Sequence, residues 1–145
     1  MVAMCLALNR EDPGQERIGA EQVRRTLREL RERPERGRAV VLELEGRLAG
    51  YALLIGFWSN EMGGEICCLD EIYVAPEARG RGHGGSLIQA LAHGAGPWPA
   101  GAVAITLEVT PGNARALGFY ERMGFRVANR TLRLRVGPRR RDAEH

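Results

Sequence analysis

The chain is expected to fold as one α/β or α+β domain with helices packed on a mixed sheet, and three observations predict it. Its 145 residues suit a single domain, which at that size buries roughly 70% of its unfolded surface. Apolar runs of strand length interleave with runs of helical period. No internal repeat or linker separates them.

The apolar start MVAMCLAL, residues 1–8, reads as a helix, and the polar NREDPGQE is its exit. Over residues 19–33, Val23, Leu27 and Leu30 recur at helical spacing between charges, and Pro34 ends this amphipathic surface helix. RAVVLELEGRLAGYALLIGFW is two strands folded about Glu45, Gly46 and Arg47. After the polar loop SNEMGGE, a third strand, ICCLDEIYVAP, is broken by Pro76. A helix from about Gly84 to Ala92, the loop HGAGPWPAG, the strand AVAITLEV and the short helix NARALGFYERM follow. GFRVANRTLRLRV alternates at its end and reads as a final β region. The domain is therefore residues 1–136, and 137–145 form a basic, disordered tail.

The formal net charge of +3 permits an anionic ligand without demanding nucleic acid, and aromatic residues for base stacking are sparse beside the terminal RRR. All 21 basic residues are arginine, which excludes Schiff-base chemistry and a Walker-type nucleotide site, since both need a lysine amine. Cys5, Cys67 and Cys68 have no histidines at ligand spacing, so reduced thiols and no metal are expected. The longest apolar run stops well short of the roughly 20 residues of a membrane span, and the N-terminus lacks a signal-peptide pattern, so a cytoplasmic protein with no membrane partner is expected.

The stretch EARGRGHGGSLIQAL, residues 77–91, sets a glycine-rich loop between the strand DEIYV and a helix. A helix N-terminus carries unpaired N–H groups and the positive end of the macrodipole, so such a turn cradles an anion, ideally a diphosphate. Tight packing is the alternative reason for the glycines. A dinucleotide fold is disfavoured because its glycine fingerprint belongs early in a repeated βαβ series, whereas this loop lies past mid-chain after a hairpin.

Arg79, Gly80, Arg81, Gly82, His83 and Gly84 match Arg/Gln-x-x-Gly-x-Gly/Ala, and LEVTPGNARALGFYERMGFR downstream carries an Asn-x-x-Ala-x-x-Phe-Tyr spacing closed by Gly-Phe. The two blocks, in this order, resemble the GNAT superfamily of acetyl-coenzyme A-dependent N-acetyltransferases. The resemblance implies a mostly antiparallel mixed sheet and acetyl transfer from acetyl-coenzyme A, a cosubstrate, to a primary amine of a small molecule or peptide. It assigns the pyrophosphate to the main chain of Arg79, Gly80, Arg81, Gly82, His83, Gly84 and Gly85, with the Arg79 and Arg81 side chains as further phosphate contacts. It assigns the pantetheine arm to the main chain of Ile72, Tyr73 and Val74, and places Asn113 near the cofactor or as a helix cap. Tyr120 matches the tyrosine that protonates the departing thiolate, and either Asp70 or Glu71 is the base for the amine. In an undistorted strand those two acids face opposite ways, and a bulge would change which one meets the substrate. Cys68 shares a face with Asp70 and is read as an apolar filler rather than an acetyl carrier.

The acceptor pocket is expected around NREDPG and GFWSNEMGGE, the latter with Trp58, Asn60 and Glu61. Members of the superfamily begin with a strand before the first helix, so this chain lacks the first strand, and either a downstream start or a homodimer partner completing the sheet edge accounts for it. A non-catalytic acyl-coenzyme A sensor is the competing function.

Overall fold

The computed structural model describes residues 1–94, 96–98 and 101–136, and the expected tail at 137–145 lies outside the described residues. The chain runs through helices α1 (Val2–Glu11) and α2 (Ala20–Glu32), and strands β1 (Gly37–Leu44), β2 (Arg47–Ser59) and β3 (Gly64–Val74). A 3-10 turn (Pro76–Ala78), helix α3 (His83–Ala92), strand β4 (Ala102–Thr106) and helix α4 (Ala114–Arg122) complete it. No strand precedes α1 among the described residues.

The four strands lie in the order β1-β2-β3-β4. The first two pairings are antiparallel and β3–β4 is parallel, as an α/β chain with a helical crossover requires. Glu45 at φ 50 and Gly46 at φ 75 make the tight β1–β2 turn, whose left-handed backbone matches the twist of the strands.

Strand β2 is the spine. Tyr51 and Leu53 face α1 and α2 with Cys5, Val23, Leu30 and Tyr73. Ala52 and Leu54 face the other way, against Cys67, Leu69, Leu87, Ile88, Leu91 and Trp98. Burial on both faces explains why YALL reads as an unbroken apolar run rather than an alternating one. Helix α2 buries Val23 and Leu30 as its spacing predicts, and the Gln22 side chain accepts from the Gly19 N–H at 2.9 Å to close its first turn.

The expected final β region is corrected: no strand follows β4 among the described residues. Period-2 alternation makes a strand only where a neighbouring edge accepts it. Here the arginines of the pattern make surface ion pairs instead, Arg133 with Glu108 at 3.8 Å and Arg135 with Glu16 at 2.6 Å. The apolar partners Leu132, Leu134 and Val136 are left 89%, 87% and 85% exposed.

Candidate active site

Two features of β3 define the site. The parallel pairing with β4 stops at Cys68↔Thr106, although β3 continues to Val74. Beyond that point the edge of β3 has no partner strand among the described residues. The ladder with β2 also shifts: Leu53 pairs with Glu71 and Leu54 with Leu69, which leaves Asp70 as the extra residue of a β-bulge.

A cleft of about 490 Å³ opens along this free edge, walled by Ile72 and Val74, the α3 N-terminus and α4 residues Asn113, Phe119 and Tyr120. Its floor is the glycine loop. Gly80 has φ +78 and Gly82 φ +80, a left-handed backbone that costs other residues roughly 1–2 kcal/mol each. Gly82 is the N-cap of α3 and, having no side chain, leaves the helix end uncapped. The N–H groups of His83, Gly84 and Gly85 in that first turn have no partner inside the helix, and all three residues line the cleft. Asn113 instead caps α4, its Oδ1 accepting from the Ala116 N–H at 3.1 Å. The anion-binding end presented to the cleft is therefore that of α3. His83 also lines the cleft, and its Nε2 is buried without a partner among the described residues.

The open edge is narrower than expected. Ala75 N–H donates to the Ala49 carbonyl, so the antiparallel alternation turns the main-chain groups of Tyr73 toward β2 and those of Ile72 and Val74 toward the gap. Tyr73 is thus corrected: its backbone belongs to the sheet, and its buried ring packs at 6.0 Å from that of Tyr51.

Arg79 is corrected as a phosphate-binding side chain. Its Nε donates to the Val74 carbonyl at 2.8 Å, its guanidinium pairs with Glu11 at 2.7 Å, and the same group lies 5.4 Å above the Tyr73 ring. It fastens the glycine loop to β3 and α1. Arg81 is exposed and outside the cleft lining, whereas Arg115 and Arg122 of α4 line it. Neither was flagged by a motif; only their place on the helix facing the loop reveals them.

Tyr120 stands at the opposite wall, edge-on to Phe119 at 5.2 Å and to Phe125 at 5.7 Å. Burial pushes its phenol above the usual range, and the charge of Asp12 adds to this, so the hydroxyl stays protonated and able to donate. Asp12 also accepts from Thr110 Oγ1 and Asn113 Nδ2, both at 3.1 Å, tying the end of α1 to the start of α4.

The two acids lie on the other face. With the bulge at Asp70, both Asp70 and Glu71 enter one recess of about 160 Å³, walled by Cys5, Ile18, Val23, Leu27 and Leu53 with Gln22 and Thr26. Burial raises the Glu71 carboxyl and nearby Asp70 adds to it, while the Tyr51 hydroxyl, donating to Glu71 Oε2 at 2.8 Å, draws it down. Asp70 is raised by loss of water around its carboxyl and then by Glu108, against the pull of Arg133. Cys68 is also raised, chiefly by burial, which keeps the thiol protonated and unreactive.

The expected acceptor loop is corrected in part. Trp58 pairs with Glu65 at the far end of the β2–β3 hairpin, about 17 Å of strand rise from the bulge, so Trp58, Asn60 and Glu61 line neither recess. Among the described residues no group of three or more His, Cys, Asp and Glu side chains is placed to hold a metal ion. No helix is long and apolar enough to cross a membrane among those residues.

Comparison with known proteins places this architecture. Residues 3–125 match the family described as Acetyltransferase (GNAT) family. An uncharacterized N-acetyltransferase of Bacillus subtilis (strain 168) is 33% identical over 98 residues, which cover 66% of this chain and 64% of that protein. A possible acetyltransferase from Clostridium difficile 630 superposes with a TM-score of 0.79 at 17% identity, covering 94% of this chain and 89% of that one. An aminoglycoside N-acetyltransferase solved in complex with coenzyme A superposes with a TM-score of 0.59 at 19% identity, covering 83% of this chain and 97% of that one. With its open β3 edge, uncapped glycine-rich helix start and a family match over residues 3–125, the chain belongs to the GNAT acetyltransferase family.

Proposed function

We propose that the protein transfers an acetyl group from acetyl-coenzyme A directly to a primary amine. The observation that carries this reading is the cleft in which the uncapped start of α3, the free edge of β3 and Tyr120 converge. Its chemistry fits the cosubstrate: N–H donors at a helix N-terminus for a diphosphate, the Ile72 main-chain groups and the Val74 N–H for an amide-bearing arm, and a phenol at the wall. Acetyl-coenzyme A supplies the activated thioester, and everything else is positioning and proton handling by this chain. The β3 edge holds the arm as an added strand would, and its donors stabilise negative charge developing on the acyl oxygen.

Tyr120 serves as the acid for the departing thiolate, since its raised phenol remains protonated across the working range. Glu71 or Asp70 takes the proton that frees the amine lone pair, and carboxyls raised by burial accept protons more readily near neutral pH. The charges also separate by face: Arg115 and Arg122 line the cleft, while Asp70 and Glu71 line the recess where a cationic amine would arrive.

Tyr120→Phe tests the reading. Turnover, followed as free-thiol release with a panel of small and peptide amines, should fall about 10²–10⁴-fold with coenzyme affinity retained. Coenzyme binding without acetylation of any amine by the unaltered protein would favour the sensor function instead.

The exposed stripe of Leu132, Leu134 and Val136 supports a homodimer in which a second copy covers it, and sedimentation equilibrium tests this directly. A single catalytic domain and a cytoplasmic location, compatible with three free cysteines, complete the proposal.

A further inference from the structure

We propose that Tyr51 is a positioning residue that holds Glu71 as the base of the acetyl transfer, one carboxylate oxygen fixed and the other presented to the amine. The inference rests on the acetyl-transfer reading and adds to it a residue with no place in either glycine-loop or α4 motif.

Tyr51 is wholly buried in the middle of β2, where a tyrosine is tolerated only if its hydroxyl finds a partner. That partner is Glu71 Oε2, at 2.8 Å. Tyr51 pairs with Tyr73, and Glu71 with Leu53, so the two are diagonal neighbours on one face of the sheet. Unbroken pairing of Tyr51 with Tyr73 and of Leu53 with Glu71 sets both side chains on that face, and the bulge adds Asp70 to it. With Oε2 committed, Oε1 is the oxygen left for the ammonium proton of a substrate in the recess.

The groups facing Glu71 agree with this role. Burial favours the neutral acid, the Tyr51 hydroxyl favours the carboxylate, and Asp70 on the same strand adds to the effect of burial. Cys5 of α1 lies in the same buried cluster as Tyr51. Helix α2 contributes Gln22 and Thr26 to the recess and no titratable group. The phenol itself is pushed far above its usual range, chiefly by burial, so it donates at every working pH.

Tyr51→Phe removes the oxygen and keeps the ring. Losing a hydrogen bond that favours the charged form raises the Glu71 pKa, so the acid limb of kcat/KM against pH should move up by about one unit or more, with coenzyme affinity unchanged. In a Glu71→Gln background the same substitution should change kcat/KM less than twofold. The carboxyl ¹³C resonance of Glu71, titrated in glutamate-labelled protein, should show the same upward displacement without any turnover. If Tyr51→Phe does not fold, 3-fluorotyrosine placed at position 51 strengthens donation and should move limb and resonance downward. An unmoved carboxyl resonance in the variant that folds overturns the inference. A displaced resonance in a protein that acetylates no amine leaves Tyr51 as the residue setting the Glu71 proton affinity and overturns the acetyl-transfer reading alone.

Discussion

Substituting Gly82 by alanine separates a phosphate cradle from a merely permissive turn. Gly82 sits at φ 80, ψ 13 as the N-cap of α3, and an added Cβ meets no atom within 4 Å. The substitution therefore creates no clash inside the protein, and its cost is the left-handed backbone alone, roughly 1–2 kcal/mol. The loop can relieve that cost only by rotating φ, which swings the first N–H groups of α3 away from the cleft. Rebinding the coenzyme must then restore the strained form, so affinity should fall about 5- to 30-fold, and further if the new methyl occupies the space of the diphosphate. Gly46→Ala is the matched control, with φ +75, an equally open Cβ position and a place in the β1–β2 turn remote from the cleft. Gly14→Ala, with neither a positive φ nor a neighbour within 4 Å, reports the baseline. Calorimetric titration with coenzyme A and a thermal melt on all three suffice. If Gly82→Ala and Gly46→Ala lose similar stability and neither loses affinity, the glycines serve the turn and the cradle argument fails.

Three further outcomes follow from the same geometry. Asp12→Asn removes a negative charge that raises Tyr120, so the phenol should titrate at lower pH and the alkaline limb of kcat should shift down; a ¹³C-labelled tyrosine titration that stays put refutes the coupling. Asp70→Asn should stabilise the fold at neutral pH, because the folded-state carboxyl is raised and its charged form is therefore disfavoured on folding. That advantage should shrink as pH falls through the raised folded value and vanish below the unfolded one, where both chains are neutral at this position; urea melts across pH would reveal the opposite trend if the sign is wrong. Trp98→Ala should cost about 3–5 kcal/mol, since the ring is 94% shielded in the core and an alanine Cβ at Gly56 would lie only 2.9 Å from it, and a loss under 1 kcal/mol would mean that the loop carrying it does not close this core.

What was legible beforehand was local. The glycines of the loop announce left-handed turns and close approach, α2 announces its buried stripe through Val23, Leu27 and Leu30, and Asn113 announces a cap. What stayed hidden depends on partners distant in the chain. The run Leu69, Asp70, Glu71, Ile72 alternates as any strand does, and the bulge exists only in the register with Leu53 and Leu54. Arg79 reads as a phosphate ligand until Glu11, 68 residues earlier, is found to hold it. Leu132, Leu134 and Val136 carry a strand pattern, yet their intervening arginines are drawn to Glu16 and Glu108 rather than to a sheet edge. Tyr51 illustrates the same limit: a tyrosine within YALLIGFW reads as core, and only the carboxylate across the strand gives its hydroxyl a purpose.

Binding of a diphosphate by the start of α3 is the claim on which the cleft, the acid and the base all depend, and backbone amide resonances of ¹⁵N-labelled protein read it most directly. On addition of coenzyme A, the amides of His83, Gly84 and Gly85 should shift most, together with those of Ile72 and Val74 along the open edge. Dephosphorylated pantetheine should move the strand amides while leaving the helix ones in place. Saturating coenzyme that leaves residues 80–85 unshifted would contradict the account.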